Sequence, residues 1–154
     1  MGHTQAKNVA SHINILLDSK SDIWCSPLIR AKQTAKYINH SNIITVLELQ
    51  EHHSPCKANV ENMVVDKIWP DFTKRVFYVI DLIRNWCNEN KNTNKQLIII
   101  GHQTFFSCLL TRICSYETII PRKTTMFRLD NCSISIFRHD KKKRWVIDTI
   151  NKQL

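Results

Sequence analysis

The sequence predicts an α/β protein: a three-layer α/β/α sandwich around a mainly parallel sheet, with an antiparallel strand near the C-terminus. Three observations predict it. Segments of helical and strand character alternate in the order helix, strand, helix, strand, helix, strand, helix, strand, strand, and such alternation folds into a parallel sheet with helices on its faces. Leu97-Ile98-Ile99-Ile100 is wholly apolar, the pattern of a strand buried on both faces. The last two strand-like segments flank a short basic turn, Lys141-Lys142-Lys143-Arg144, and read as a terminal pair around a solvated hairpin tip.

Each element has a local reason. From Thr4 to Leu17, Ala6, Val9, Ala10, Ile13, Leu16 and Leu17 recur at helical spacing, which makes an amphipathic helix. Asp18 to Asp22 is a polar link into a short strand, Ile23-Trp24-Cys25. Ser26 stands where an N-cap belongs and Pro27 where the first helical residue belongs. The helix they open keeps Ala31, Ala35 and Ile38 on one face and fades near Asn39. Ile43 to Leu47 is a β-branched run and reads as a strand. Leu49 to Met63 has no strong period, and Trp69-Pro70 marks a break. Asp71 is placed to cap a long helix with the stripe Phe72, Val76, Val79, Ile80, Ile83 and Cys87. Asn88 to Asn94 is a polar turn before the apolar strand, and Gly101-His102-Gln103-Thr104 leads from that strand into a helix over Phe105 to Cys114. Tyr116 to Arg128 is a connector, and Ser133–Phe137 and Trp145–Ile150 are the closing strands. An α/β domain of this kind normally opens on a strand, whereas this chain opens on a helix.

Composition bounds the class. At 154 residues, with 43% hydrophobic and 23% charged residues, the chain is expected to form one domain, 1–154, with a real core. No apolar run reaches the ~18 residues of a membrane span, and no leader segment is recognisable. Six cysteines are scattered without a C-x-x-C pair, which favours reduced thiols and a cytoplasmic protein over a disulfide framework. The net charge of +9 admits nucleic acid, an acidic surface or phosphorylated substrates as partners. Only Gly2 and Gly101 are glycines, which excludes glycine-rich phosphate loops.

The most informative stretch is Ser26-Pro27-Leu28-Ile29-Arg30-Ala31-Lys32-Gln33-Thr34-Ala35. It sets Arg30 in the first turn of a helix that follows a strand, a corner suited to anions and to phosphate above all. His102 occupies the equivalent place after another strand. Carboxyl ends of parallel strands form the ligand face of such sheets, so the two residues are candidates to meet around one anion. The plain alternatives are a surface arginine and a core histidine. His52, His53 and Cys56 fit no standard zinc spacing, and neither a metal nor a cofactor is expected.

These residues resemble the histidine phosphatase superfamily, the phosphoglycerate mutase-like fold. The Ser26–Ala35 stretch resembles the family's motif after its second strand, and Leu97–Ile100 with Gly101-His102 resembles the strand ending in its second active-site histidine. Asn131-Cys132-Ser133 resembles the start of its penultimate strand, Trp145 through Asn151 its closing strand, and Gly2-x-x-Gln5-Ala6 the start of its first helix. The resemblance implies phosphomonoester hydrolysis through a phosphohistidine. It makes Arg30 a phosphate clamp and His102 the second histidine, with both catalytic and phosphate-binding roles. Glu51, in Leu49-Gln50-Glu51, is the candidate acid for the leaving oxygen, a solvated loop acid being the alternative. The compact size favours hydrolysis over mutase activity, and the expected ligand is a phosphorylated small molecule or phosphoprotein. A nucleic-acid partner is disfavoured.

The departures are equally informative. The family's nucleophilic histidine lies between an arginine and a glycine at the end of the first strand, and no Arg-His-Gly triplet occurs in these 154 residues. Met1-Gly2-His3 aligns with the helix after that motif rather than with the motif itself. Gln103 stands where the family usually has glycine. The first strand is thus expected to be missing and catalysis impaired or absent. A truncated gene model or fragment is the simplest explanation; a different segment in the gap, or a partner that completes the sheet by strand addition, are the others. The alternative function is a non-catalytic pseudophosphatase that binds phosphate or another protein.

Overall fold

The computed structural model of the chain describes residues 2–51, 70–117, 127–139 and 145–153. Helix α1 (Gly2–Leu16) leads to β1 (Asp22–Cys25), α2 (Ile29–Ala35) and β2 (Ile43–Thr45), followed by a 3-10 turn at Leu47–Leu49. Then come α3 (Pro70–Glu89), β3 (Leu97–Ile100), α4 (Gln103–Glu117), β4 (Ile134–His139) and β5 (Trp145–Lys152). The element order is the one the periodicity predicts. Strands β2, β1 and β3 form a parallel sheet in that order, and β4 pairs with β5 in a separate antiparallel sheet.

Strand alternation explains the layers. In β1, Ile23 packs with Ala10 of α1 and with Ile38, while its neighbour Trp24 packs on the opposite cluster built by α3 and α4. In β3, Ile98 and Ile100 join the first cluster, and Leu97 and Ile99 join the second. Successive side chains point to opposite faces, so a four-residue strand serves two helix layers at once. The larger cluster centres on Val76, Val79, Ile80 and Phe105, and Trp145 and Phe137 bring the β4–β5 pair onto it. The rings of Phe72 and Phe105 meet edge to face, with centroids 5.9 Å apart.

At the amino end of the sheet, the indole N–H of Trp86 donates to the Asp22 carboxylate at 2.7 Å, and Lys95 lies 3.6 Å from the same oxygen. On β4–β5, Arg138 donates two hydrogen bonds to Asp148, at 2.6 and 2.8 Å, and holds that carboxyl below its ordinary range. Asn151 adopts a left-handed φ of 55° and bonds Asp130 through both ends of its amide, which closes the hairpin's open end.

Several local expectations need correction. Helix α2 begins at Ile29 with Leu28 as its cap, so Ser26 is not the N-cap. Asp71 lies inside the first turn of α3, where its charge still suits the helix dipole, because Pro70 already begins the helix. Leu16, at the margin of the apolar stripe and the last residue of α1, is 46% exposed. The four residues of β3 are half-buried rather than fully buried, because β3 lies at the edge of its sheet with β1 as its one partner among the described residues. Cys25, Cys108 and Cys114 are buried and form no disulfide among the described residues, and burial pushes the Cys108 thiol up to about 11. His52, His53, Cys56, the basic turn 141–144 and most of the segments 49–69 and 116–128 lie outside the described residues. Among the described residues, no helix is long and apolar enough to cross a membrane.

The packing makes a direct prediction. Phe105 is 0% exposed at the centre of the larger cluster, whereas Ile15 is 81% exposed. Phe105→Ala is expected to destabilise the protein by about 3–5 kcal/mol. Ile15→Ala is expected to change stability by no more than about 0.5 kcal/mol. Urea unfolding midpoints of the two variants measure the contrast.

Candidate functional site

The site begins with strand register. Asp22 pairs with Leu97 and Cys25 with Ile100, so the two strands end level. The next backbone bond, Ser26 N–H to the Ile100 carbonyl at 2.9 Å, carries the pairing one residue past β1. His102 follows two residues after Ile100. Between them, Gly101 lies beneath the Phe106 ring: a Cβ there would fall 2.8 Å from a ring carbon. The turn that delivers His102 therefore depends on glycine for close packing, not for a left-handed backbone.

Three side chains from these two strand ends meet. The Ser26 hydroxyl lies 2.7 Å from Nε2 of His102, and Arg30 donates from Nε to Nδ1 of the same ring at 3.0 Å. Ser26 Oγ also accepts the Leu28 N–H at 3.3 Å. Ser26 is 0% and His102 5% exposed, whereas Arg30 reaches solvent from the first turn of α2. A cation held by one nitrogen against a buried histidine, with its planar end outward, can bond an oxyanion through its terminal Nη groups.

Glu51 reaches the start of the helix that follows His102: its carboxylate accepts the N–H groups of Thr104 and Phe105, at 3.3 and 3.2 Å. It thereby satisfies donors in the first turn of α4 that have no intrahelical partner. Arg75 supports this end of the helix. Its guanidinium lies 5.2 Å from the Phe72 ring centroid and 5.5 Å from that of Phe105. Burial lowers its pKa, against the opposing pull of the Glu51 and Glu48 charges. Gln103 is exposed at the start of α4. His3 lies on α1, where its Nδ1 is 3.1 Å from the Tyr37 hydroxyl.

The structure thus brings Arg30 and His102 into contact and puts Glu51 at the start of the helix that follows His102. Sequence reasoning missed the part of Ser26, which it took for a helix cap, and had no reason to single out Arg75. A signal for Ser26 was present: it directly follows a strand adjacent to the one that delivers His102, so the two side chains had a common edge to share.

Comparison with known proteins agrees with this fold. The chain is similar to phosphoserine phosphatase from Entamoeba histolytica, solved with 3-phosphoglyceric acid, at 19% identity and a TM-score of 0.69, over 98% of this chain and 82% of that one. It is similar to a mycobacterial glucosyl-3-phosphoglycerate phosphatase, solved with inorganic phosphate, at 16% identity and a TM-score of 0.67, over 98% and 85% of the two chains. A structure described as mycobacterial hydrolase 1 matches at 14% identity and a TM-score of 0.71, over 99% and 84%. No curated protein matches the sequence. The family model of the histidine phosphatase superfamily (branch 1) matches residues 66–153, more than half of the chain and including His102. On that match, and with a fold shared along nearly its whole length, the chain belongs to the histidine phosphatase superfamily, branch 1.

Proposed function

We propose that the protein binds the phosphoryl group of a phosphomonoester at the corner formed by Ser26, Arg30 and His102, and that this 154-residue chain turns such esters over poorly or not at all. The observation that carries the reading is the bond from Arg30 Nε to His102 Nδ1, which joins two strand ends 72 residues apart and leaves the guanidinium exposed. The ligand is a phosphorylated small molecule or a phosphoprotein. Glu51 is the acid candidate for the leaving oxygen, by its place at the start of α4. Five free thiols among the described cysteines favour a reducing, cytoplasmic setting.

Poor turnover follows from chemistry. In-line displacement at phosphorus through a covalent intermediate needs a nitrogen with a free lone pair. No Arg-His-Gly triplet supplies one, and His102 has both ring nitrogens engaged. A second reading, a non-catalytic module that pairs with a partner protein, is favoured by the side of β3 that faces no strand among the described residues. Backbone bonds from Asp22 to Gln96 and from Ser26 to Ile100 turn the even-numbered residues of β3 toward β1. Leu97 and Ile99 therefore turn their amides the other way, toward the place an apolar strand from a partner would occupy.

Three outcomes are expected. Inorganic phosphate binds the purified protein in calorimetric titration, and Arg30→Ala, at an exposed side chain, weakens binding by about tenfold or more in a variant that still folds; equal affinity in the variant refutes the site. Hydrolysis of an aryl phosphate falls on the order of 10⁴–10⁶-fold below that of an active phosphatase; ordinary rates abolished by Arg30→Ala would overturn the inactivity. In hydrogen exchange of the isolated protein, the amides of Leu97 and Ile99 exchange much faster than those of Ile98 and Ile100. Uniform protection along β3 sinks the strand-pairing reading.

A further inference from the structure

Charge is unevenly spread along the chain. Between Met1 and Leu47 the only carboxylate side chains are Asp18 and Asp22. Both are engaged at or before the start of β1: Asp22 accepts from Trp86 and lies beside Lys95, and Asp18 accepts the Ser21 hydroxyl and the Lys20 N–H. Helices α1 and α2 contain no acidic residue, yet they carry Lys7 and Lys32, and Lys36 caps the end of α2. Helix α3, by contrast, sets Asp71, Asp81 and Glu89 against Lys74, Arg75 and Arg84, and Arg84 pairs with Asp81 at 2.9 Å. Helices α1 and α2 form one continuous surface. The Asn14 side chain donates to the Tyr37 carbonyl at 3.2 Å and accepts the Asn39 N–H at 2.8 Å, and His3 lies 3.1 Å from the Tyr37 hydroxyl. Lys7 sits over the Tyr37 ring, 5.7 Å from its centroid, which steadies the ammonium without neutralising it. Ile29, Lys32 and Lys36 stand at i, i+3 and i+7 and so share one exposed stripe of α2, with Ile29 75% exposed. Lys7, Lys32 and Lys36 form no ion pair among the described residues. Two lysines four apart repel each other, a cost that nothing local offsets.

We infer that the α1–α2 layer is a docking surface for an acidic, extended segment of a partner protein. Carboxylates of that segment meet Lys7, Lys32 and Lys36, and an apolar side chain among them covers Ile29. Charge complementarity sets the sign of the partner: a layer of unpaired cations free of carboxylates attracts acidic segments and repels basic ones. The rest of the surface selects a protein. Nucleic acid is held by cations matched to closely spaced phosphates, whereas here three lysines are spread over two helices with neutral Asn8, Ser11 and Gln33 exposed among them. A membrane surface takes a helix with a broad apolar outer face, whereas α1 exposes Thr4, Asn8 and Ser11 beside Ile15. The surface uses none of Ser26, Arg30 and His102, so the inference stands apart from phosphate binding at that corner.

The test uses the full chain and a fluorescent glutamate-rich peptide with one leucine at its centre, with binding read by anisotropy. The wild-type protein is expected to bind it, less tightly as salt rises. The combined variant Lys7→Glu, Lys32→Glu, Lys36→Glu is expected to bind about tenfold or more weakly. The combined variant Lys74→Glu, Lys91→Glu, Lys152→Glu changes the net charge equally from exposed positions elsewhere and is expected to stay within about twofold of wild type. Ile29→Ser is expected to weaken binding of the leucine peptide and not of an all-glutamate one; equal effects on the two remove Ile29 from the surface. Equal weakening by both combined variants shows that net charge and not the layer governs binding, and overturns the inference, as does a wild-type protein that does not bind. Tighter, layer-dependent binding of an oligonucleotide of the same charge, or of phosphatidylserine vesicles, assigns the surface to that partner and overturns the protein reading. Circular dichroism checks the fold of each variant. Should the α1–α2 glutamate variant not fold, glutamines at the same three positions, which keep helical preference, carry the same expectation.

Discussion

The register between β1 and β3 is the constraint on which the site depends. Because Cys25 lies opposite Ile100, the residue after β1 and the turn after β3 emerge at one level, and a buried hydroxyl can reach a buried imidazole. Side-chain direction in a strand has a period of two, so a slip of one residue would exchange the two helix layers served by Ile23 and Trp24 and would separate Ser26 from His102. Core packing and site geometry therefore enforce the same register. The hydrophobic burial that places Ile23 against α1 also brings Arg30 to His102.

The helices reinforce that arrangement from both sides. On one face, α1 and α2 pack small and branched residues, Ala10, Ala31 and Ala35 among them, close to the sheet. On the other, Phe105 anchors the first turn of α4 while its own N–H is taken by Glu51. The cation of Arg75 lies over the same ring and beside the same carboxylate, so the start of α4 is held by packing, hydrogen bonding and charge together. A rigid start to α4 is what holds the preceding residue, His102, at the strand end. Gly101 serves the same end by letting Phe106 lie directly on the turn.

Much of this was legible in the chain. Helical spacing located α1, α3 and α4, whose apolar stripes face the cores predicted for them, and the β-branched and apolar runs located the strands in order. Arg30 and His102 stood out because each follows a strand with a helix behind it. Cap assignment failed at Ser26, because an N-cap and a buried hydrogen-bond partner carry the same residue type, and only the presence of His102 across the sheet selects between them. Burial of β3 was overestimated because Leu-Ile-Ile-Ile describes the side chains and not the number of neighbouring strands.

By itself the sequence determined the alternation of helices and strands, the faces they bury, the arginine-bearing corner after β1 and the absence of an Arg-His-Gly triplet, all of which are properties of residue order and local periodicity. Tertiary structure alone decided that Ser26 bonds His102, that Arg30 grips the ring through Nε, that Glu51 accepts N–H groups in the first turn of α4, and that β3 has β1 as its one strand partner among the described residues. The reason is physical: these are contacts between segments tens of residues apart, and no local preference encodes which hydroxyl, which ring nitrogen or which strand edge will be brought within 3 Å of another until the core has closed around them.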